Sequence, residues 1–143
     1  MASKATCWGI LGAGKIANDF IVALKTLPSE DHRIVAVGAR ALDRAQALCS
    51  QHGVQKAYGS YEELVSDADV EVVYVSPIHP AHKQLCLLAL EHGKHVLCEK
   101  PLTLNLKDAK QVLESAKKKN LFCMEVRIIP CFFLNIIFLF LLD

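Results

Sequence analysis

Short aliphatic runs alternate with longer amphipathic stretches through most of this 143-residue chain. The runs at residues 7–11, 34–39 and 70–75 are nearly continuous in apolar residues, which is typical of strands buried on both faces of a parallel sheet. The stretch at 15–27 has apolar residues at spacings of three and four, as an amphipathic helix does. Strands joined by such helices form right-handed βαβ units. The sequence therefore predicts an α/β fold with a doubly wound parallel sheet of the Rossmann type, in a single domain over residues 1–126.

The same alternation predicts the remaining elements. A capping box formed by Ser60 and Glu63 begins a short helix. Gly53 is expected to end a helix, and Gly93 is expected to end another in the left-handed conformation. The further helices are predicted at 43–52, 60–66, 80–92 and 105–120, and the further strands at 56–58, 94–98 and 121–126.

The composition excludes several classes of protein. With 52% hydrophobic and 22% charged residues, the chain has enough apolar surface to fold, so it is not a disordered protein. Its 16 basic and 15 acidic residues give a net charge of +1, which leaves no electrostatic footprint for nucleic acid. The 6 cysteines form no C-x-x-C pair, and the first residues lack the apolar core of a secretory signal. We therefore expect reduced thiols and a cytoplasmic location.

A glycine-rich turn follows the first predicted strand and opens the first predicted helix. It fits the pattern G-x-G-x-x-A, with Gly12 and Gly14 in the two leading positions and Ala17 in the third. Gly12 permits a tight turn, Gly14 lets backbone amides approach a pyrophosphate, and Ala17 allows close packing of the helix. The positive end of the helix dipole then faces the phosphates. This context predicts a dinucleotide site, and the alternative is a glycine turn that serves only packing.

The residue at the end of the second strand indicates which dinucleotide is bound. NAD sites usually carry an acidic residue there, whereas NADP sites offer an arginine. This chain has Arg40, with no carboxylate before Asp43. A guanidinium can bind a 2′-phosphate with two hydrogen bonds, so NADP is the predicted cofactor. The alternative is that Arg40 is a solvated residue at the start of a helix.

Two further segments follow predicted strands, at the edge where open parallel sheets bind ligands. One contains Ser76, Pro77, His79 and His82, and the other is 99–101, Glu-Lys-Pro. Lys100 is well placed to polarise a substrate oxygen, and a cis peptide bond before Pro101 is compatible with this sequence. The two histidines have the alternative role of polar residues at a helix start. No metal site is expected, since no carboxylate or thiol shares their spacing.

These motifs, together with Gly-Lys-His-Val at 93–96, resemble the glucose–fructose oxidoreductase and inositol dehydrogenase (Gfo/Idh/MocA) family. The resemblance covers about residues 6–125 and implies NADP-dependent hydride transfer with a vicinal diol or an aldose hydroxyl. It implies Lys100 as the catalytic residue and a set of coenzyme-binding residues: Gly9, Gly12, Ala13, Gly14, Lys15, Ile16, Arg40, Tyr74, Ser76, Pro77, His79, His82, Glu99 and Lys100. Ile78 departs from the family, which often has asparagine in this neighbourhood.

The resemblance ends abruptly after Glu125, and residues 127–143 form an apolar tail. The family's second domain, which supplies the acid/base partner of Lys100 and the dimer face, does not follow, so we expect a truncated product that is weak or inactive alone. The alternative is a non-catalytic NADP-binding or dimerising module that forms a homo-oligomer or associates with full-length subunits. A membrane role for the tail is disfavoured, because residues 128–142 as a helix would span roughly 22 Å of a core roughly 30 Å thick.

Overall fold

The computed structural model describes residues 5–126, and six parallel strands form one sheet within them. The strands are β1 (Thr6–Leu11), β2 (His32–Gly38), β3 (Lys56–Tyr58), β4 (Val72–Val75), β5 (His95–Cys98) and β6 (Cys123–Glu125). Their order across the sheet is β3-β2-β1-β4-β5-β6, so the chain winds outward from β1 in one direction and then from β4 in the other. This is the strand order of a doubly wound dinucleotide-binding fold, and the predicted fold class is confirmed.

Helices cover both faces of the sheet. They are α1 (Lys15–Leu24), α2 (Leu42–His52), α3 (Tyr61–Ser66), α4 (His82–Glu91) and α5 (Leu106–Lys118). Apolar side chains of α1 and α2 share one buried cluster with Ile10, and those of α3, α4 and α5 share the other with Leu11. Since successive strand residues point to opposite faces, the apolar runs of the sequence are needed to fill both layers.

Most predicted element boundaries agree with the structure within two residues, and the main changes lie beside two prolines. The first helix ends at Leu24 instead of Leu27, because the chain tightens into three-residue turns ahead of Pro28. The helix predicted at 80–92 is divided into a 3₁₀ turn at His79–Ala81, which contains Pro80, and α4.

Capping explains the other helix ends. Ser60 accepts the backbone N–H of Glu63 at 3.2 Å, and Asn105 accepts that of Asp108 at 2.9 Å. Gly53 and Gly93 have φ angles of +67° and +73°. The left-handed conformation predicted for Gly93 is confirmed, and Gly53 adopts it as well.

Among residues 5–126, no helix has the length and apolar character to cross a bilayer. The predictions for the apolar tail at 127–143 lie outside the described residues.

A polar cluster around Asp67, in the segment between α3 and β4, connects β3 with the start of β5. The Asp67 carboxylate accepts two hydrogen bonds from Lys56 Nζ at 3.0 and 2.8 Å and one from the Tyr58 hydroxyl at 3.0 Å. Lys94 Nζ donates to the carbonyl oxygens of Asp67 and Val70, both at 2.7 Å. Burial raises the pKa of the Asp67 carboxyl, but the donors from Lys56, Asp69 and Tyr58 outweigh it and hold that pKa below its usual range.

We predict that Asp67→Asn lowers the free energy of unfolding at pH 7 by about 1–3 kcal/mol, the range for a buried charged hydrogen-bonding group. A carboxyl whose native pKa is depressed stabilises the fold above its unfolded pKa, about 3.9, and loses that contribution as pH falls through the native value. Urea unfolding measures the free energy of unfolding of wild type and variant, and the difference between the two values is therefore expected to vanish in acid. Asp69→Asn is the control, because its carboxylate also contacts Lys56 but is 70% exposed, so its effect should be much smaller. Equal losses for the two variants, or a difference that persists in acid, would contradict this assignment.

Candidate functional site

The carboxyl ends of four strands lie side by side at one edge of the sheet. Leu11, the last residue of β1, pairs with Gly38 of β2 and with Val75 of β4, and Val75 pairs with Cys98 of β5. The segments that follow these strands therefore begin at the same level. These are the glycine turn, Arg40, the segment after Ser76 and the Glu-Lys-Pro segment, so the structure brings the predicted regions together.

Gly12 forms the turn between β1 and α1. Its φ is +102°, and its N–H donates to the Gly38 carbonyl at 2.8 Å. A Cβ at this position would lie 2.6 Å from Ser76 Oγ, and that hydroxyl itself donates to the Leu11 carbonyl at 2.6 Å. The turn is thus fixed against both neighbouring strands, and a residue other than glycine meets both strain and overlap there.

Gly14 leaves the amino end of α1 open. It is the N-cap residue, it has ordinary extended backbone angles, and no side chain of residues 5–126 caps the helix. Within the same residues, a Cβ added to Gly14 would find no non-neighbouring atom within 4 Å. Lys15 and Ile16 are exposed, whereas Ala17 is fully buried and lets the helix lie close to the sheet. The open helix terminus, with its partial positive charge, is suited to an anion such as a pyrophosphate.

Two arginines lie at the start of α2. Arg40 follows β2 by two residues and is exposed. Arg44, in the first turn of α2, donates from Nη2 to the Ala13 carbonyl at 3.5 Å. We did not predict a role for Arg44. Its spacing of four residues from Arg40, across a predicted helix start, is the signal that could have indicated it.

A buried pair links β4 to the Glu-Lys-Pro segment. The Tyr74 hydroxyl donates to Glu99 Oε1 at 2.6 Å, and the Tyr74 ring stacks on Phe20 of α1 with centroids 3.7 Å apart. Burial, with the adjacent Glu99 carboxylate, raises the pKa of the Tyr74 phenol above its usual value, so it stays a donor at neutral pH. The other oxygen, Oε2, accepts the Lys100 backbone N–H at 3.2 Å. Together these bonds fix the base of Lys100, whose side chain is exposed and whose bond to Pro101 is cis.

The remaining residues of the predicted site differ in their exposure to solvent. Ser76 is buried, Pro77 is partly buried and His79 is exposed at this edge. His82 is only 1% exposed, with both ring nitrogens against carbonyl oxygens. Gly9 lies within β1 away from the edge, where a Cβ would meet Leu64 at 2.8 Å and Val70 at 2.9 Å. Packing of α3 against the strand therefore accounts for Gly9 without a ligand.

Comparison with known proteins shows the family to which this chain belongs. The family model described as an oxidoreductase family with an NAD-binding Rossmann fold (Gfo/Idh/MocA) matches residues 7–126. Trans-1,2-dihydrobenzene-1,2-diol dehydrogenase from Xenopus tropicalis is 51% identical over 121 residues, and the enzyme of that name from Mus musculus is 48% identical over 118. These matches cover 85% and 82% of this chain but only 37% and 35% of the relatives' own lengths.

Solved structures of two oxidoreductases contain a domain with a similar fold. A 3-ketoreductase from Actinomadura kijaniata, solved in complex with NADP, superposes with a TM-score of 0.81 and 31% sequence identity. An NAD-binding oxidoreductase from Klebsiella pneumoniae superposes with a TM-score of 0.80 and 26% identity. The ketoreductase match covers 85% of this chain and 38% of that protein, so the similarity again concerns one part of a larger chain.

We predict that Gly12→Ala destabilises the fold more than Gly53→Ala does. Both residues have positive φ, so each substitution carries backbone strain of about 1–2 kcal/mol. Only at Gly12 does the new methyl also overlap a neighbour, Ser76 Oγ, since Gly53 has open space. Chemical denaturation of both variants measures the difference in their free energies of unfolding. Ser76→Ala removes the hydroxyl that the new methyl overlaps, so the double variant with Gly12→Ala should lose less stability than the sum of the two single losses. Equal losses at the two glycines would show that the turn is not held against Ser76.

Proposed function

Because the chain belongs to the Gfo/Idh/MocA oxidoreductase family, we propose that residues 5–126 form the NADP-binding domain of a dehydrogenase acting on a vicinal diol or an aldose hydroxyl. The observation that carries the proposal is the open amino end of α1 at Gly14, which faces the same sheet edge as Arg40 and Lys100. Each part of the coenzyme then has a matching group on this chain.

The glycine turn is the proposed pyrophosphate site. Gly14 is exposed, and a Cβ there would meet no non-neighbouring atom of the described residues within 4 Å, so its backbone is accessible to a phosphate. The first amides of α1 have no side-chain cap among the described residues, so they can donate to an anion. Lys15, exposed in the first turn, adds a positive charge. Gly12 and Ala13 contribute backbone to the same turn.

The two arginines are the proposed determinants of NADP over NAD. Arg40 and Arg44 are both exposed, and Arg44 is oriented toward the glycine turn through its contact with Ala13. Guanidinium groups bind the charged ribose 2′-phosphate of NADP with paired hydrogen bonds. The 2′-hydroxyl of NAD is uncharged and cannot form such an ion pair. The NADP complex of the Actinomadura ketoreductase supports this choice.

The nicotinamide end is assigned to the segments after β4 and β5. When bound there, NADP accepts or donates a hydride at its nicotinamide ring. Lys100 is the proposed catalytic residue, and its ammonium is suited to polarise the substrate oxygen and stabilise charge that develops on it. Glu99 and Tyr74 hold the Lys100 backbone in place through their hydrogen bonds. Ile16, Ser76, Pro77 and His79 are the proposed contacts of the nicotinamide half. The relatives' name, a dihydrodiol dehydrogenase, supports a diol substrate.

The second candidate is a non-catalytic NADP-binding module that pairs with a second copy or with full-length subunits. This candidate uses the same glycine turn and arginines for the coenzyme, and it differs from the first only in lacking hydride transfer. Incubation with NADP⁺ and a trans-dihydrodiol separates the two, because only the dehydrogenase produces NADPH fluorescence. We place either form in the reducing cytoplasm, supported by five free cysteines among the described residues, four of them buried.

We predict that Gly14→Ala weakens NADPH binding about tenfold, or about 1.4 kcal/mol, while leaving thermal stability unchanged. The methyl would meet no non-neighbouring atom of the part of the chain that the structure describes, and the backbone is unstrained, so the substitution acts on an incoming phosphate. Nicotinamide fluorescence measures affinity, and thermal unfolding checks the fold. Gly53→Ala, remote from this edge, should keep wild-type affinity. Unchanged affinity in Gly14→Ala would argue against a pyrophosphate at the turn.

A further inference from the structure

The segments that follow β4 and β5 carry the most exposed large apolar side chains of the described residues. Ile78, after β4, is 72% exposed, and Leu104 and Leu106, after β5, are 60% and 71% exposed. Every other large apolar side chain of residues 5–126 is at most 51% exposed. We call Ile78, Leu104 and Leu106 the loop patch. Contiguous apolar surface of this kind marks an interaction site more often than scattered apolar residues do.

Contacts between the two segments bring the loop patch into one region of the surface. The ring of His82 lies 2.7 Å from the Pro77 carbonyl oxygen and 2.8 Å from the Pro101 carbonyl oxygen. Lys83 Nζ, at the start of α4, lies 2.6 Å from the carboxylate of Asp108, at the start of α5. The loop patch lies within the segments that these contacts join, so its three side chains face the same surroundings.

The chain leaves the sheet beside this region and continues into an apolar segment. The Val126 N–H donates to the Cys98 carbonyl oxygen at 2.8 Å, which places the end of β6 next to the Glu-Lys-Pro segment. Residues 128–142 contain no charged side chain and hold four of the 6 phenylalanines of the chain. A segment of this composition gains free energy when it moves from water onto another apolar surface.

The segment is long enough to reach the loop patch. Fifteen residues span roughly 22 Å as a helix and roughly 50 Å when extended. Neighbouring strands lie only about 4.8 Å apart, so the loops after β5 and β4 are one and two strand spacings from the end of β6. A short tether gives such a segment an effective concentration on the order of millimolar. This exceeds the concentration of a second copy in a micromolar solution, so attachment favours the chain's own segment as the occupant.

We propose that the loop patch is the docking surface for residues 128–142 of the same chain. The match is one of composition, since an uncharged apolar segment meets the most exposed apolar side chains beside the point where it begins. Because the patch lies in the segments on either side of Lys100, a docked segment covers that part of the sheet edge against water. The proposal goes beyond the proposed function and requires no coenzyme, so either can fail without the other.

Photocrosslinking of the intact chain tests the contact directly. A benzophenone side chain is placed at position 104, where Leu104 is replaced by p-benzoylphenylalanine, and the irradiated chain is digested and analysed by mass spectrometry. We expect crosslinks from position 104 to residues 128–142. The control carries the same group in place of Val22, which is 51% exposed on α1, over the opposite face of the sheet, and should give no such crosslinks.

Mixing isotope-labelled and unlabelled chains identifies the occupant. Crosslinks that join only peptides of the same isotope composition support docking within one chain. Crosslinks between labelled and unlabelled chains would show that a second copy occupies the patch and would overturn the proposal. Position 104 failing to crosslink to residues 128–142, or crosslinking no more than position 22 does, would overturn it as well.

A second experiment changes the chemistry of the patch. Leu104→Glu together with Leu106→Glu places two charges where the apolar segment docks. We expect chymotrypsin to cleave at the phenylalanines of residues 128–142 about fivefold faster in this variant than in wild type, since the undocked state becomes more populated. Val22→Glu together with Leu42→Glu is the matched control, with two charges at exposed apolar positions on α1 and α2, and should keep the wild-type rate. Equal cleavage rates in wild type and the patch variant would contradict the docking.

Discussion

Parallel pairing of β1 with both β2 and β4 is the constraint on which the site depends. The Leu11 carbonyl receives the Ser76 N–H at 3.0 Å and the Ser76 hydroxyl at 2.6 Å, and the next residue, Gly12, donates to Gly38. These bonds close the ladder at the point where the winding direction reverses. A crevice at such a reversal is where open α/β sheets bind ligands, because the loops on its two sides diverge toward opposite faces. Without this register, Arg40, Gly14 and Lys100 would not lie at the same edge of the sheet.

Packing beneath the edge makes the polar groups there rigid. Phe20 from α1 stacks on Tyr74, and the Tyr74 hydroxyl in turn holds Glu99. Buried polar groups of this kind are stable only when they are paired, and the described residues leave no buried side-chain nitrogen or oxygen without a partner. The same layer that forms the core therefore fixes the backbone from which Lys100 projects, and the exposed residues carry the proposed chemistry.

Local patterns predicted the fold because they encode local physics. Continuous apolar runs indicated strands covered on both faces. Gly53 and Gly93 indicated where two helices end, and both have positive φ angles in the structure. The positions of Gly12, Gly14 and Arg40 followed from the strand–turn–helix context. The bond between Tyr74 and Glu99, separated by 25 residues, could not be predicted, because it depends on the register of β4 with β5. The packing role of Gly9 and the contact of Arg44 with Ala13 likewise arise only when distant elements meet.

We propose that residues 5–126 hold a dinucleotide site whose arginines select NADP. Isothermal titration of the intact chain with NADPH and with NADH, at one ionic strength, tests this proposal most directly. The two coenzymes differ only by the 2′-phosphate, so the ratio of their dissociation constants measures the contribution of the groups that bind it, which we propose are Arg40 and Arg44. We predict NADPH to bind at least about tenfold more tightly, a difference of about 1.4 kcal/mol. Equal affinities, a preference for NADH, or no binding of either coenzyme would contradict the account.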